Sequence, residues 1–250
     1  LGTATYDKLY DNARTDTWTA GPLRVDQRLV QALARGTEQP PGRPDGAPRV
    51  LDFGCYAGDL LASLPPQFEK FGVEINAMAG AQAASRASAR VERDLDHFAP
   101  DLRFDLIVAM DVIEHVPSPR ALMKRLVERL APGGRLVVTT GDGANWLWRL
   151  LGARWWYCYF PEHIAFISRP WLRYHAAALG ASVQLARTFN YLDVAERPRF
   201  VRGWKALWRY LRKPAAHWVQ QQRHFERHGS DLGVPGIGLT RDHLLLVVSA

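Results

Sequence analysis

The sequence predicts an α/β fold in which a parallel sheet is covered by helices on both faces. From Arg49 onward, short apolar runs alternate with stretches of helical periodicity, the pattern of successive βαβ units. The apolar runs suit strands buried on both sides. The chain has 250 residues, 47% of them hydrophobic and 23% charged, which is enough to bury one full core and ordinary for a globular enzyme.

Taken in order, residues 6–35 mix aromatic and charged side chains, and "RVDQRLVQALAR" sets Val25, Leu29 and Leu33 at helical spacing, predicting a helical N-terminal cap. Residues 36–48, "GTEQPPGRPDGAP", are too rich in proline and glycine for regular structure and read as a linker. The main domain is therefore expected over 49–250. In it "RVLDFGC", "KFGVEI", "ARVERD", "FDLIVAM" and "RLVVTT" are the apolar runs, separated by "DLLASL", "AMAGAQAASRA" and "PRALMKRLVERLAPGG". Pro132, Gly133 and Gly134 are expected to end the last of these helices sharply. A further helix, "RPWLRYHAAALG", precedes "ASVQLARTFNY". The apolar "HLLLVVSA" closes the chain after a long excursion, as a strand inserted near the sheet edge.

Composition sets bounds on function. The longest apolar runs, such as residues 244–248, fall far short of the ~20 residues needed to span a bilayer, and no basic region followed by an apolar block opens the chain. The two cysteines, Cys55 and Cys158, lie far apart and give neither a disulfide framework nor a CxxC metal site, so a reducing cytoplasm is the simplest home. The formal charge of +7 suits an anionic partner, but an arginine-rich solvated surface gives the same charge with none. No aromatic RNA-binding signature or zinc finger points to nucleic acid.

The chemistry concentrates in "VLDFGCYAGDL", residues 50–60, where a buried strand meets a turn carrying Gly54 and Gly58 and then a helix. Glycines allow a tight turn and close approach to a ligand, which in such sheets sits outside the carboxyl ends of the strands. A dinucleotide would rest its pyrophosphate on the helix N-terminus, where Asp59 opposes it, so a phosphate-free cofactor fits better. Glu74 ends the second strand, where a carboxylate can accept from both hydroxyls of a ribose. Asp94 follows the third, where one can accept from an adenine amino group.

With these residues in place, residues 50–145 resemble the class I S-adenosylmethionine-dependent methyltransferases, in the broad family that includes ubiquinone-biosynthesis O-methyltransferases. That family's motif reads "LDxGCGxG", and Tyr56 stands here at its middle glycine. The likeness continues through "FDLIVAMDVIEHVPSPRALMKRLVERLAPGGRLVVTT". It implies a Rossmann-like, seven-stranded, mostly parallel sheet with the last strand antiparallel, and S-adenosyl-L-methionine as cofactor. It places Asp52, Gly54, Cys55, Tyr56 and Gly58 on the methionine side, Glu74 and Ile75 at the ribose, Asp94 and Leu95 at the adenine, and Ala109, Met110 and Asp111 at the sulfonium.

Methyl transfer from a sulfonium asks the protein to align the acceptor and, where needed, to take its proton. Two stretches supply candidates, "DVIEHVP" at 111–117 and "YCYFPEHIAF" at 157–166. His163 is the candidate general base, and Asp111 is a second catalytic candidate. The alternative is a histidine that only ties down its loop. Asp111, Glu114, His115 and His163 also resemble the divalent-metal set of small-RNA 2′-O-methyltransferases and some ubiquinone-pathway enzymes, although "EHV" is widespread in metal-free relatives. The metal-free reading is preferred. Within the acceptor-site loop, 141–169, the aromatics Trp155, Trp156, Tyr157, Tyr159 and Phe160 suit a flat apolar acceptor pocket, whereas 147–151 reads as buried helix.

The segment 192–242 is basic and tryptophan-rich, and reads as a helical insertion before the last strand. In "RFVRGWKALWRYLRK", Trp204, Leu207, Trp208 and Leu211 share one helical face, with cations largely elsewhere. Such a helix packs on the domain as a lid, or lies on an anionic membrane surface through residues 200–213, in which case the acceptor is lipid-linked and the protein sits peripherally on the inner face. The function expected is methylation, most simply on oxygen, of a small-molecule or glycan-type acceptor. The alternatives are an RNA methyltransferase and a noncatalytic cofactor-binding protein of the same fold.

Overall fold

The computed structural model describes residues 46–152, 155, 157, 158, 162–189 and 241–249, together with 28, 30, 31, 204, 205, 207, 208 and 212. Its elements are β1 (Arg49–Phe53), α1 (Asp59–Ser63), β2 (Glu69–Val73), α2 (Ala77–Ala87), β3 (Arg90–Glu92), β4 (Phe104–Met110), α3 (Pro119–Glu128), β5 (Leu130–Gly141), α4 (Trp146–Leu151), α5 (Arg169–Ala178), β6 (Ser182–Phe189) and β7 (His243–Ser249).

The seven strands form one sheet in the order β3-β2-β1-β4-β5-β7-β6. The first five run parallel. β7 enters antiparallel between β5 and β6, so the closing apolar run is an inserted strand next to the edge. A strand buried on both faces divides its side chains between two cores, because successive side chains point to opposite faces. In β4, Ile107 and Ala109 join one cluster while Leu106 and Val108 join the other. In β7, Leu244, Leu246 and Val248 face the first cluster, and Leu245 and Val247 the second. β6, with only Phe189 buried, makes the exposed edge.

Local signals set the helix starts. Asn76 caps α2 by accepting from the Ala79 N–H at 2.9 Å, and Ser118 and Ser168 cap α3 and α5, each with a proline in the first turn. The helix before β5 does not run to the Pro-Gly-Gly as expected. It stops at Glu128, because the Arg129 N–H turns back to the Leu126 and Val127 carbonyls and Leu130 already pairs with Phe104. The register then jumps to Leu106 opposite Arg135, so residues 132–134 loop out within β5.

Of the N-terminal cap, Arg28, Val30 and Gln31 are helical. Val30 is buried with Leu60 and Leu61 of α1, and the Gln31 side chain donates to the Ser63 carbonyl at 3.3 Å. Val25, Leu29 and Leu33, and most of the linker, lie outside the described residues. So does most of the 192–242 insertion, including Leu211. Among the described residues no helix is long and apolar enough to cross a membrane.

Candidate active site

The carboxyl ends of β1, β2 and β3 form one side of the site. Beyond β1, Gly54 and Gly58 adopt φ of +82° and +78°. A Cβ on Gly58 would stand 2.8 Å from the Ala83 Cα of α2, and one on Gly54 would stand 2.5 Å from a Val112 methyl, so both positions exclude any larger residue. Tyr56, where the family motif has glycine, takes the same left-handed region at φ +45°. A side chain there costs about 1–2 kcal/mol. The Glu74 carboxylate bears directly on this strained point: Oε2 accepts the Tyr56 N–H and Oε1 the Asn76 N–H, each at 2.8 Å. Glu74 thus bridges the β1 turn and the start of α2. Burial raises its pKa against the opposing N–H groups of Asn76, Tyr56 and Ile75.

The other predicted cofactor residues are distributed around this bridge. Asp52 is buried within β1, and Ile75 is half-buried between Glu74 and Asn76. Cys55 lies beneath the turn, where burial, then Asp52 and Glu74, push its thiol far up and leave it a packing group. Leu95 is buried in the core, whereas Asp94 is exposed and Oδ1 accepts both the Asp96 N–H at 2.9 Å and Arg125 at 2.7 Å. Burial alone would raise the Asp94 pKa, but the Asp96 N–H and the Arg125 guanidinium outweigh it and hold it low. Asp59 is paired with Arg86, so its charge is answered locally and weighs less against a phosphate than its place in the sequence suggests.

The ends of β4, β5 and β7 form the other side. Asp111 follows Met110 at the end of β4, half-buried, with φ +53° and its N–H on the Thr139 carbonyl of β5 at 3.0 Å. Three residues on, Glu114 is fully buried. Oε2 accepts the Thr140 hydroxyl at 2.9 Å and Oε1 accepts the Tyr157 hydroxyl. Tyr157 in turn accepts the Gly141 N–H at 2.7 Å, and its ring lies so close over Gly141 that a Cβ there would be 2.2 Å from it. Burial, then the Asp111 charge, raise Glu114 to about 8 despite the Tyr157 and Thr140 hydroxyls.

Glu114 also holds the loop that carries His163, since its carbonyl accepts the Ile164 and Ala165 N–H groups at 2.9 and 3.0 Å. His163 Nδ1 donates to the Tyr157 carbonyl at 2.6 Å, and His115 Nδ1 to the Glu162 carbonyl at 3.0 Å. A ring nitrogen facing a carbonyl must carry the proton, so Nε2 is the basic nitrogen of each. The two rings meet edge to face at 4.7 Å. Burial lowers His163, and burial together with His163 lowers His115 to about 4, so both are neutral at neutral pH.

Behind them stands a pair that the sequence reading did not single out. His243, the first residue of β7 and fully buried, has Nδ1 3.2 Å from Asp242 Oδ1 and Nε2 3.8 Å from Asp111 Oδ1. Burial would lower His243, but Asp242 and then Asp111 raise it. The "DH" opening an apolar run was the one available signal, and only the antiparallel insertion of β7 beside β5 brings it to Asp111.

Of the acceptor-pocket aromatics, Trp155 and Tyr157 are buried. Trp155 stacks on Trp148 at 5.8 Å and packs with Leu147, Leu151 and Leu207. Trp156, Tyr159 and Phe160 lie outside the described residues. Glu114, His115 and His163 offer three ligand atoms within 4.8 Å of one another, without Asp111. Both Glu114 oxygens are already bonded to hydroxyls, which makes a poor start for a cation site.

Residues 24–186 match the model of the methyltransferase domain family. The chain belongs to the class I S-adenosylmethionine-dependent methyltransferases. It is 34% identical over 113 residues to a ubiquinone biosynthesis O-methyltransferase of Bradyrhizobium diazoefficiens, covering 40% of this chain and 42% of that protein. It is 35% identical over 103 residues to the chloroplastic tocopherol O-methyltransferase of Arabidopsis thaliana, covering 37% and 30%. These alignments span less than half the length of either relative. The N-methyltransferase NodS of Bradyrhizobium japonicum, solved with S-adenosylhomocysteine, shares the fold with a TM-score of 0.52 at 16% identity, over 90% of this chain and 85% of that one. The cofactor of this methyltransferase family is S-adenosylmethionine.

Proposed function

We propose that this protein transfers the methyl group of S-adenosylmethionine to an oxygen of a small-molecule or glycan-type acceptor, without a metal. The observation that carries the reading is the Glu74 carboxylate, fixed by the Tyr56 and Asn76 N–H groups over a turn in which Gly54 and Gly58 leave no room for a side chain of their own. Each oxygen has a second lone pair for a ribose hydroxyl. Asp52, Gly54 and Gly58 border the methionine end, Asp94 and Leu95 the adenine, and Ala109, Met110 and Asp111 the sulfonium.

When bound, the cofactor supplies an electrophilic methyl. The acceptor oxygen forms the new C–O bond as the S–CH₃ bond breaks, leaving S-adenosylhomocysteine. His163 takes the acceptor proton on Nε2, its ring oriented by the Tyr157 carbonyl and its loop by Glu114. Burial keeps it neutral, as a base must be before it acts. Tyr157 and Glu114 are positioning residues in this scheme.

The O-methylation reading is supported by relatives named for that chemistry. Incubation with methyl-labelled cofactor and a panel of hydroxyl, amine and RNA acceptors tests it. A product labelled on oxygen is expected, and turnover should survive verified chelation. Label found only on nitrogen or RNA overturns the acceptor class, and activity lost on chelation and restored by a divalent ion overturns the metal-free site.

A further inference from the structure

Two helical pieces share a buried anchor and leave large apolar groups exposed. In α4, Leu147 and Leu151 are buried, whereas Trp146 and Leu150 are 53% and 54% exposed. Among the helical residues 204, 205, 207 and 208, Leu207 is buried in the same cluster, whereas Trp204 and Trp208 are 50% and 57% exposed. In each piece the exposed pair is spaced i, i+4, so it lies on a single helix face.

Among the described residues of these two pieces, every charged side chain is a cation. Arg149, Lys205 and Arg212 are exposed, and the Arg212 guanidinium lies 4.0 Å over the Trp208 ring. In the sequence, Arg202, Lys205, Arg209, Arg212 and Lys213 come with no acidic residue between 197 and 213. Residues 204–212 also fall beyond the 24–186 match, so this feature belongs to the chain and not to the shared domain.

We infer that α4 and residues 204, 205, 207, 208 and 212 together form a docking face for an anionic membrane surface. Tryptophan and arginine suit the bilayer interface, where the ring enters the headgroup region and the cation meets lipid phosphate. A second copy of this chain would bring like charges together. A nucleic acid would use the cations and the tryptophans but gain little from exposed Leu150. The proposal is independent of the acceptor's identity.

Co-sedimentation of the full chain with phosphatidylcholine vesicles, with and without phosphatidylglycerol, tests it. Binding is expected only to the anionic vesicles, weakening as salt rises, with a blue shift in tryptophan emission. The double variant Lys205→Glu/Arg212→Glu should bind at least roughly tenfold more weakly. Trp204→Ser/Trp208→Ser should lose the bound fraction while keeping its S-adenosylhomocysteine affinity, which shows that the domain is still folded. The proposal is overturned by absence of binding to anionic vesicles, by equal binding to neutral ones, by unaltered binding of both double variants, or by the patch mediating dimers or RNA binding instead.

Discussion

On the β1–β3 side of the sheet, the residues proposed for the cofactor come from one short stretch, 52–95, and the contacts there join backbone N–H groups to two carboxylates, Glu74 and Asp94. On the β4–β7 side, the contacts join residues 111, 114, 140, 157, 163 and 243, all through side chains or a long loop. The first side is a rigid turn that needs few ordered long-range contacts. The second is a buried polar network in which every member depends on partners distant in sequence. A glycine turn can be built from residues close in sequence, whereas this polar network is assembled by the whole sheet, β7 included.

If the two sides do separate in this way, damage to one should spare the other. His163→Ala is expected to reduce turnover by ~10²–10⁴-fold while leaving S-adenosylhomocysteine affinity unchanged. Single-turnover rates and calorimetry on the same preparation check this, and a matching loss of affinity would break the separation. Near-normal turnover with an unchanged pH profile would leave His163 as a loop support only. Gly58→Ala should act from the opposite side. With φ at +78° and a Cβ meeting the Ala83 backbone, it should cost roughly 2–4 kcal/mol in urea unfolding.

The polar network also predicts a pH dependence, to which the raised Glu74 of the cofactor seat adds in the same sense. The folded protein holds a proton on Glu114 up to about 8, and one on His243 above its ordinary 6.5, while the unfolded chain has released both. Stability should therefore fall as pH rises from about 6.5 to 8. Below 6.5 the lowered His115 and His163 work in the opposite sense, since only the unfolded chain takes up their protons there. Urea midpoints across this range should show the alkaline decline in the wild type, and Glu114→Gln should flatten it. An equally steep decline in the variant would place the titration elsewhere.

The same contrast explains what was legible in the sequence. The α/β alternation, Gly54, Gly58 and Glu74 are readable because a turn and a strand end are set by residues next to one another. The helix stop was misjudged because Leu130 pairs with Phe104 before the Pro-Gly-Gly is reached. Asp242 passed as the end of the basic insertion and His243 as the start of an apolar strand, since only β7's position between β5 and β6 gives His243 Asp111 as a neighbour. Tyr157, read as a pocket aromatic, is held through its hydroxyl by a carboxylate 43 residues away.

The central claim is that Glu74 is the hinge of the cofactor seat, and titration calorimetry of S-adenosylmethionine or S-adenosylhomocysteine into wild type and Glu74→Ala tests it most directly. Loss of charge-assisted hydrogen bonds worth ~1.5–3 kcal/mol should weaken binding by about ten- to a hundredfold. Glu74→Gln, which keeps an oxygen for one N–H, should fall between the two. Equal affinity in a folded Glu74→Ala protein would contradict the account, because the carboxylate would then support the turn without touching the cofactor.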